Sequence, residues 1–427
     1  DTIDKLKKWQ GHLLNWYNTK TLETMAPEYV STVDNGNYIA DLILVRQGIL
    51  EYANQPNVTK KHLEALLCTA QLARGENPRL ALDTGPLTAL LHQEPLRAQD
   101  CIDGIDALLQ QRKGSASGWT KRFWQMAEEL RTAFSEIGKS CSAEIGALAA
   151  RIQKIVDTTS FLPLYDEEKK LFTIGYDVAQ EKKNNSYYDL LMSEARQTSF
   201  IAVARGEVGR EHWFRLGRSM AAADLHTGLL SWTGTMFEYF MPLLLMKSFR
   251  NTIFSESYNF ALREQMKYAL RFAPVYGISE SGYYSFDADL NYAYKAFGVP
   301  ALGLKRGLAN ERVIAPYASV MSAMLAPNTA AENMKKLIDL GAYGTYGFYE
   351  ALDFTKRRLM AGEDYAVVKS FMVHHVGMSF LALDNVFFKN LLQHRFLKEP
   401  FLRAGAYLLG EKIPLTPPVS RAAKYEE

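Results

Sequence analysis

The 427 residues are enough for two to three domains or one large barrel, and a content of 48% hydrophobic and 22% charged residues excludes global disorder. The 49 basic and 47 acidic residues leave a net charge of +2, which argues against binding to nucleic acid or a membrane surface through charge. Three cysteines are too few for a disulfide framework and fit a reducing compartment.

Apolar residues spaced three and four apart predict a mainly α-helical chain, as in the stripes that begin at Ile39 and at Leu63. Further helices are predicted over residues 97–111, 120–137, 142–156, 186–205, 235–248, 257–272, 330–340, 365–383 and 386–396. Short strands are predicted over 171–176, 229–232 and 275–279, and loops rich in glycine and tyrosine over 277–289, 298–307 and 341–350. Such a series favours helices packed on helices over alternating β-α-β units.

Aromatic residues divide the chain into three regions. Of the 51 Phe, Tyr and Trp residues, six lie in residues 1–52, four in 53–160 and 41 in 161–427. The middle region is rich in leucine, alanine, glutamine and arginine, a composition typical of a small helical bundle. We therefore expect residues 53–160 to be a helical insertion or subdomain, with an ordinary continuation of the helical domain as the alternative.

Membrane and metal signals are weak. The most apolar window, residues 228–246, contains Glu238 and Pro242, so we expect it to be buried in protein and predict no direct membrane insertion. His374 and His375 are adjacent and point to different sides of a helix, which does not suit a metal site with ligands four residues apart. We predict no metal and no cofactor, and a structural or substrate-contacting role for the two histidines.

Several acidic residues lie in aromatic, glycine-rich or apolar sequence, where ordinary surface acids are not expected. They are Glu194, Glu238, Glu280, Glu350 and Asp353. Two carboxyl groups among aromatic rings suit cleavage or transfer of a glycosidic bond, because one protonates the departing oxygen and the other attacks the anomeric carbon. Aromatic faces would stack on the sugar rings. The alternatives are a structural hydrogen-bond network and another small-molecule enzyme.

Short segments across residues 10–52 and about 160–415 resemble the glycoamylase-like central region of bacterial cyclic β-1,2-glucan synthases. They include Leu14-Asn-Trp-Tyr17, Tyr188-Asp-Leu-Leu-Met-Ser-Glu-Ala-Arg196, Ser231-Trp-Thr-Gly-Thr-Met-Phe-Glu-Tyr239, Gly277-Ile-Ser-Glu-Ser281 and Tyr349-Glu-Ala-Leu-Asp353. The resemblance implies an (α/α)6 barrel with short β-hairpins or loops at its active-site face. It also implies a retaining, intramolecular transglycosylation that turns linear β-1,2-glucan into cyclic glucan.

The resemblance further implies that Glu194 and Glu280 are the catalytic pair. We assign Glu280 as the nucleophile and Glu194 as the acid/base, and the reverse assignment stays open. In the substrate cleft we place the acids Glu238, Glu350, Asp353 and Asp34, together with His374 and His375. The candidate sugar platforms, each with core packing as the alternative, are Trp16, Tyr17, Trp232, Tyr239, Tyr283 and Tyr284. The family usually has Trp at the position of Tyr276 and Gln at that of Val376, so the linkage preference is open.

The family also implies a domain that acts in the cytoplasm beside the other domains of an inner-membrane synthase. On the same fold, an endo-β-1,2-glucanase is the alternative enzyme, and a glucan-binding domain without catalysis is the alternative outside enzymes.

Overall fold

Helices make up most of the regular structure of the protein. The computed structural model describes residues 1–53, 59–114, 116–136, 142–224, 226–413 and 419–421. The α-helices are α1 (Thr2–Lys5), α2 (Thr32–Tyr52), α3 (Lys60–Glu76), α4 (Gly85–Leu90), α5 (Ala98–Leu109), α6 (Gly118–Ser135), α7 (Ser142–Thr158), α8 (Arg196–Ala204), α9 (Glu211–Arg215), α10 (Met236–Phe240), α11 (Ile253–Ala269), α12 (Pro316–Met321), α13 (Pro327–Asp339), α14 (Val373–Phe387), α15 (Leu391–Phe396) and α16 (Pro400–Gly405).

The strands are short and form sheets of two or three members. They are β1 (Lys8–Trp9), β2 (His12–Leu13), β3 (Tyr29–Ser31), β4 (Tyr165–Asp166), β5 (Leu171–Thr173), β6 (Gly175–Asp177), β7 (Lys182–Lys183), β8 (Tyr187–Tyr188), β9 (Met220–Ala223), β10 (His226–Leu229), β11 (Ser281–Phe286), β12 (Tyr292–Lys295), β13 (Val313–Ile314), β14 (Tyr343–Gly344), β15 (Gly347–Phe348), β16 (Ala351–Asp353), β17 (Ala366–Val368) and β18 (Val419–Arg421). Strand order runs β1-β2, β10-β9-β18, β11-β12, β13-β16-β17, β14-β15, β3-β6-β7 and β4-β5-β8, so within the described ranges no sheet closes on itself. The predicted mainly α class is confirmed.

The chain forms two compact units, one of Asp1–Gln47 with Ile152–Glu427 and one of Gly48–Arg151. In the larger unit, helices pack against their successors in the chain (α10 on α11, α12 on α13 and α14 on α15), as they do in the paired helices of an (α/α)6 barrel. The smaller unit has its own apolar core, in which α6 packs against both α3 and α5. The domain boundaries at 52/53 and 160/161 stay a prediction.

Several predicted elements differ from the structure, and in three of them strand pairing or proline overrides helical periodicity. The helix predicted over 186–205 begins only at Arg196, since Tyr187–Tyr188 pairs with β5. The helix predicted over 365–383 begins at Val373, since Ala366–Val368 pairs with β16. The helix predicted over 235–248 changes to a 3-10 turn at Pro242–Leu244, where proline lacks a backbone N–H to donate.

The predicted strand 275–279 is also absent, and the strand forms later, at Ser281–Phe286. The loop predicted over 277–289 is therefore wrong from Ser281 to Phe286, which belong to the β11–β12 hairpin. Residue 137, the predicted end of the helix over 120–137, lies outside the described residues. No helix in the described part of the chain is long and apolar enough to cross a membrane.

Candidate active site

Glu194 lies in the turn before α8, not inside a helix as predicted. The Ser193 hydroxyl donates to its carboxylate at 3.1 Å. The buried Arg196 guanidinium donates to the carbonyls of Ser193 and Glu238, both at 2.9 Å, and to that of Tyr239 at 2.7 Å. Arg196 therefore fixes the Glu194 turn to the backbone of α10.

Glu238 holds its own end of α10 in place. Its carboxylate accepts the Ser231 hydroxyl at 2.7 Å and the backbone N–H groups of Thr233 at 3.0 Å and Thr235 at 3.1 Å. The Thr235 hydroxyl accepts the Glu238 N–H in return, which completes a capping box. Every hydrogen bond to this carboxylate comes from a donor, so its position beside Glu194 is fixed.

Glu280 ends a rigid loop that passes under α12. Gly277 takes φ +132°, and a Cβ there would meet the Ser319 hydroxyl at 2.6 Å, so only glycine fits. The Ser279 hydroxyl lies 2.8 Å from the Tyr317 hydroxyl, which donates to the Glu280 carbonyl at 2.9 Å. These contacts fix the backbone from which the Glu280 side chain projects.

Glu194 and Glu280 line one cavity of about 610 Å³, called here the central cavity. Glu194 also borders a cavity of about 380 Å³ lined by Trp232. Glu280 also borders a cavity of about 650 Å³ lined by Trp16. The central cavity shares Glu194 with the Trp232 cavity and Glu280 with the Trp16 cavity, and the three are called here the cleft.

The two acids differ in electrostatic environment. Burial, with the nearby charge of Glu238 second, raises the pKa of Glu194 to about 7. Burial also raises the pKa of Glu280, but a hydrogen bond from Tyr294 and the charge of His375 oppose that rise. Glu194 is thus suited to carry a proton near neutral pH, and Glu280 is the better candidate for the ionised partner.

Five of the other predicted site residues line the cleft, and one of them is Glu238, in the wall of the Trp232 cavity. Trp16 and Trp232 are 48% and 57% exposed, so both rings offer a free face. Asp34, in the first turn of α2, and His374, in the first turn of α14, line the central cavity and the Trp16 cavity. Burial and the neighbouring His375 lower the pKa of His374 to about 4, so this ring is neutral at neutral pH.

Two predicted substrate contacts are corrected by their burial. Tyr239 is fully buried, and its hydroxyl donates to the Leu229 carbonyl at 2.7 Å, so it offers no face to a sugar. Asp353 is also fully buried and is ion-paired with Arg358 at 2.6 Å. Both residues were predicted as substrate contacts because each ends a sequence segment that resembles the family, and their burial could not be seen from the sequence.

Five other predicted substrate contacts do not line the cleft. Three are aromatic residues predicted to stack on sugars, and two are Glu350 and His375. The Tyr17 hydroxyl donates to the Lys7 carbonyl and accepts the Leu14 N–H. The Tyr283 ring packs under Arg358 and against Phe297, and the Tyr284 ring against Phe286 and Tyr292. The buried Glu350 and His375 contact each other at 3.0 Å.

Tyr276, at the position where the family usually has Trp, is buried, and its hydroxyl is hydrogen-bonded to the Ser322 hydroxyl at 3.0 Å.

The structure adds residues that the sequence reasoning missed. Asn37, Tyr38 and Asp41 follow Asp34 on the same face of α2 and line the central cavity. They lie three, four and seven residues after Asp34, a spacing that places them on the same helix face and could have been recognised in the sequence. Tyr294, in the β11–β12 hairpin, had no such signal. In the described part of the chain, no cluster of His, Cys, Asp and Glu could hold a metal ion.

The chain matches one protein-family model and is similar to a curated protein. The family model named Glycoamylase matches residues 186–400. The whole chain is 35% identical to the cyclic β-(1,2)-glucan synthase NdvB of Rhizobium meliloti (strain 1021), over 465 aligned residues, and spans 16% of the length of that protein.

Among solved structures, a β-1,2-glucanase from Parabacteroides distasonis is similar with a TM-score of 0.46 and 13% identity, over 90% of this chain and 55% of that one. An endo-β-1,2-glucanase from Talaromyces funiculosus in complex with sophorose has a TM-score of 0.45 and 12% identity, over 98% and 91%.

Proposed function

The chain belongs to the Glycoamylase family, and on that premise we propose that it converts linear β-1,2-glucan into cyclic β-1,2-glucan by retaining, intramolecular transglycosylation. The observation that carries the proposal is the one cavity lined by both Glu194 and Glu280, whose surroundings give the two carboxyl groups different proton affinities. The β-1,2-glucan substrate and the cyclic product are proposed from the relative that is 35% identical over the whole chain.

In the proposed reaction, Glu280 is the nucleophile and Glu194 the acid/base. The ionised Glu280 attacks the anomeric carbon and forms a glycosyl ester, while Glu194 gives its proton to the departing glycosidic oxygen. The hydroxyl at the other end of the same glucan chain then attacks that carbon, Glu194 takes the hydroxyl proton, and Glu280 leaves as a carboxylate. Two inversions at one carbon give net retention.

The cleft offers surfaces for glucan on both sides of the acids. Trp232 beside Glu194 and Trp16 beside Glu280 provide aromatic faces for the apolar faces of sugar rings. Asp34, Asn37 and His374 line the space between and can bind sugar hydroxyls. From the similarity to the cyclic β-(1,2)-glucan synthase, we also propose that this activity takes place in the cytoplasm, beside the other domains of a membrane-bound synthase.

The test is incubation of linear β-1,2-glucan with the protein, followed by mass spectrometry of the products. Glucans one water lighter than the linear chain of equal length mean cyclisation and support the proposal. Short linear oligosaccharides with new reducing ends mean an endo-β-1,2-glucanase. Unchanged glucan that still binds the protein means a binding domain, and either of the last two results overturns the proposal.

A further inference from the structure

Tyr294 is placed beside Glu280 by the pairing of a hairpin. Strand β12 pairs with β11 so that Tyr294 lies opposite Gly282, two residues after Glu280. A hydrogen bond from the Tyr294 hydroxyl lowers the pKa of the Glu280 carboxyl, against the larger rise that burial causes. Tyr294 and Glu280 also border the same cavity with Trp16.

A buried pair lies on the other side of the Tyr294 hydroxyl. Its oxygen is 3.3 Å from Nε2 of His375, and Nδ1 of His375 is 3.0 Å from the Glu350 carboxylate. Glu350 also accepts, at 3.0 Å, the backbone N–H of Gly282, the hairpin residue that lies opposite Tyr294. The His375 ring stacks on Tyr317, with centroids 3.7 Å apart. Both histidine nitrogens are thus directed at specific partners.

The direction of these hydrogen bonds follows from the donors available. Burial, with the charges of Glu280 and Glu350 second, raises the pKa of Tyr294 well above its ordinary value, so the hydroxyl keeps its proton. A hydrogen on Nδ1 of His375 can donate to Glu350, and a hydrogen on Nε2 can donate to the Tyr294 oxygen. The single hydroxyl proton of Tyr294 is then free to point at the Glu280 carboxylate. His374 Nε2, also 3.3 Å from the hydroxyl, is a second donor to its oxygen.

We infer that Tyr294 is a positioning residue that orients Glu280 and keeps it ionised, through a hydrogen-bonded series running from Glu350 through His375 and Tyr294 to Glu280. The inference rests on the proposed function, in which Glu280 must be ionised to attack the sugar. A charged carboxylate gains more from one added donor than a neutral carboxyl does, so the Tyr294 hydroxyl favours the ionised form.

Other titratable groups also face Glu280, and the test must separate them from Tyr294. They are Asp34 of α2, Tyr188 of β8, Glu194, Glu238 of α10, Tyr317 of α12, and His374 and His375 of α14. The carboxylates among them disfavour the ionised Glu280, while His375 favours it. Tyr294→Phe removes one oxygen and leaves all of these groups in place.

The first measurement is the pH dependence of kcat/KM on linear β-1,2-glucan, from about pH 4 to about pH 9. We expect Tyr294→Phe to move the acidic limb of the profile up by about one pH unit, the order expected when a carboxylate loses a donor. Tyr292→Phe, the same change two residues earlier in β12, is the matched control and should leave the limb in place. An equal loss of activity at every pH, with no shift, overturns the inference.

The second measurement needs no activity and separates this inference from the proposed function. The difference in unfolding free energy between the parent and Glu280→Gln is followed across pH, with Tyr294 intact and with Tyr294→Phe. We expect the titration of this difference to move to higher pH when the hydroxyl is absent. An identical titration in both backgrounds overturns the inference, whereas a protein that leaves linear glucan unchanged overturns only the proposed function.

Discussion

Replacing Glu194 by Gln is expected to stabilise the protein at neutral and alkaline pH. The pKa of Glu194 rises from an ordinary 4.5 to about 7, chiefly through burial and then through the charge of Glu238. At about 1.4 kcal/mol per pH unit, the penalty for ionising this group in the folded protein is about 3 kcal/mol. Gln keeps the shape of the protonated acid and carries no charge, so it avoids that penalty.

The sign follows from proton linkage. The folded protein binds the Glu194 proton more tightly than the unfolded chain does, so this stabilisation is full below about pH 4.5 and is lost as the pH rises through about 7. Urea unfolding of the parent and Glu194→Gln should therefore give similar free energies near about pH 4. The variant should be more stable by about 3 kcal/mol near about pH 8.

The matched control is Glu238→Gln, which should have the opposite sign. Its carboxylate is held by a hydroxyl and two backbone N–H groups, and an amide cannot accept from all of them, so a loss of about 1–3 kcal/mol is expected. A stability difference between the parent and Glu194→Gln that does not change with pH would refute the reasoning about Glu194.

Two further predictions separate the cleft from its support. Trp232→Ala should weaken glucan binding by about 1 kcal/mol, roughly fivefold, in calorimetry, with unchanged unfolding free energy, because the ring is 57% exposed; a loss of stability with unchanged binding would contradict this. Asp353→Asn should lower the unfolding free energy by about 1–3 kcal/mol, because it removes one of the two carboxylates paired with Arg358 and leaves Glu311, while kcat of the folded protein stays unchanged; a variant of parental stability would contradict it.

The sequence predicted the helical class and drew attention to the two acids, but it could not tell buried loops from helices. The apolar residues around Glu194 read as helical, although Tyr187–Tyr188 pairs with β5 and the helix begins at Arg196. Local periodicity carries no information on which distant strand pairs with a segment. The actual start of α8 leaves Glu194 in a turn at the cavity wall.

Aromatic residues were the least predictable part of the site. Trp232 and Tyr239 lie seven residues apart in the segment Ser231–Tyr239, which resembles the family, yet the first is exposed at the cleft and the second is fully buried. Both surroundings favour an aromatic ring, so residue type alone does not separate them. Tyr294 became visible only through the register of β11 with β12, which brings it near Glu280.

The most direct test of the central claim is the turnover of linear β-1,2-glucan by Glu194→Gln and Glu280→Gln, with Asp34→Asn as a control that changes another carboxylate of the same cavity. If Glu194 and Glu280 are the catalytic pair, kcat of each variant should fall by about 10²–10⁴-fold, while the protein remains folded and still binds glucan. The Asp34 variant should lose far less in kcat. Near-parental turnover by either glutamate variant would contradict the account.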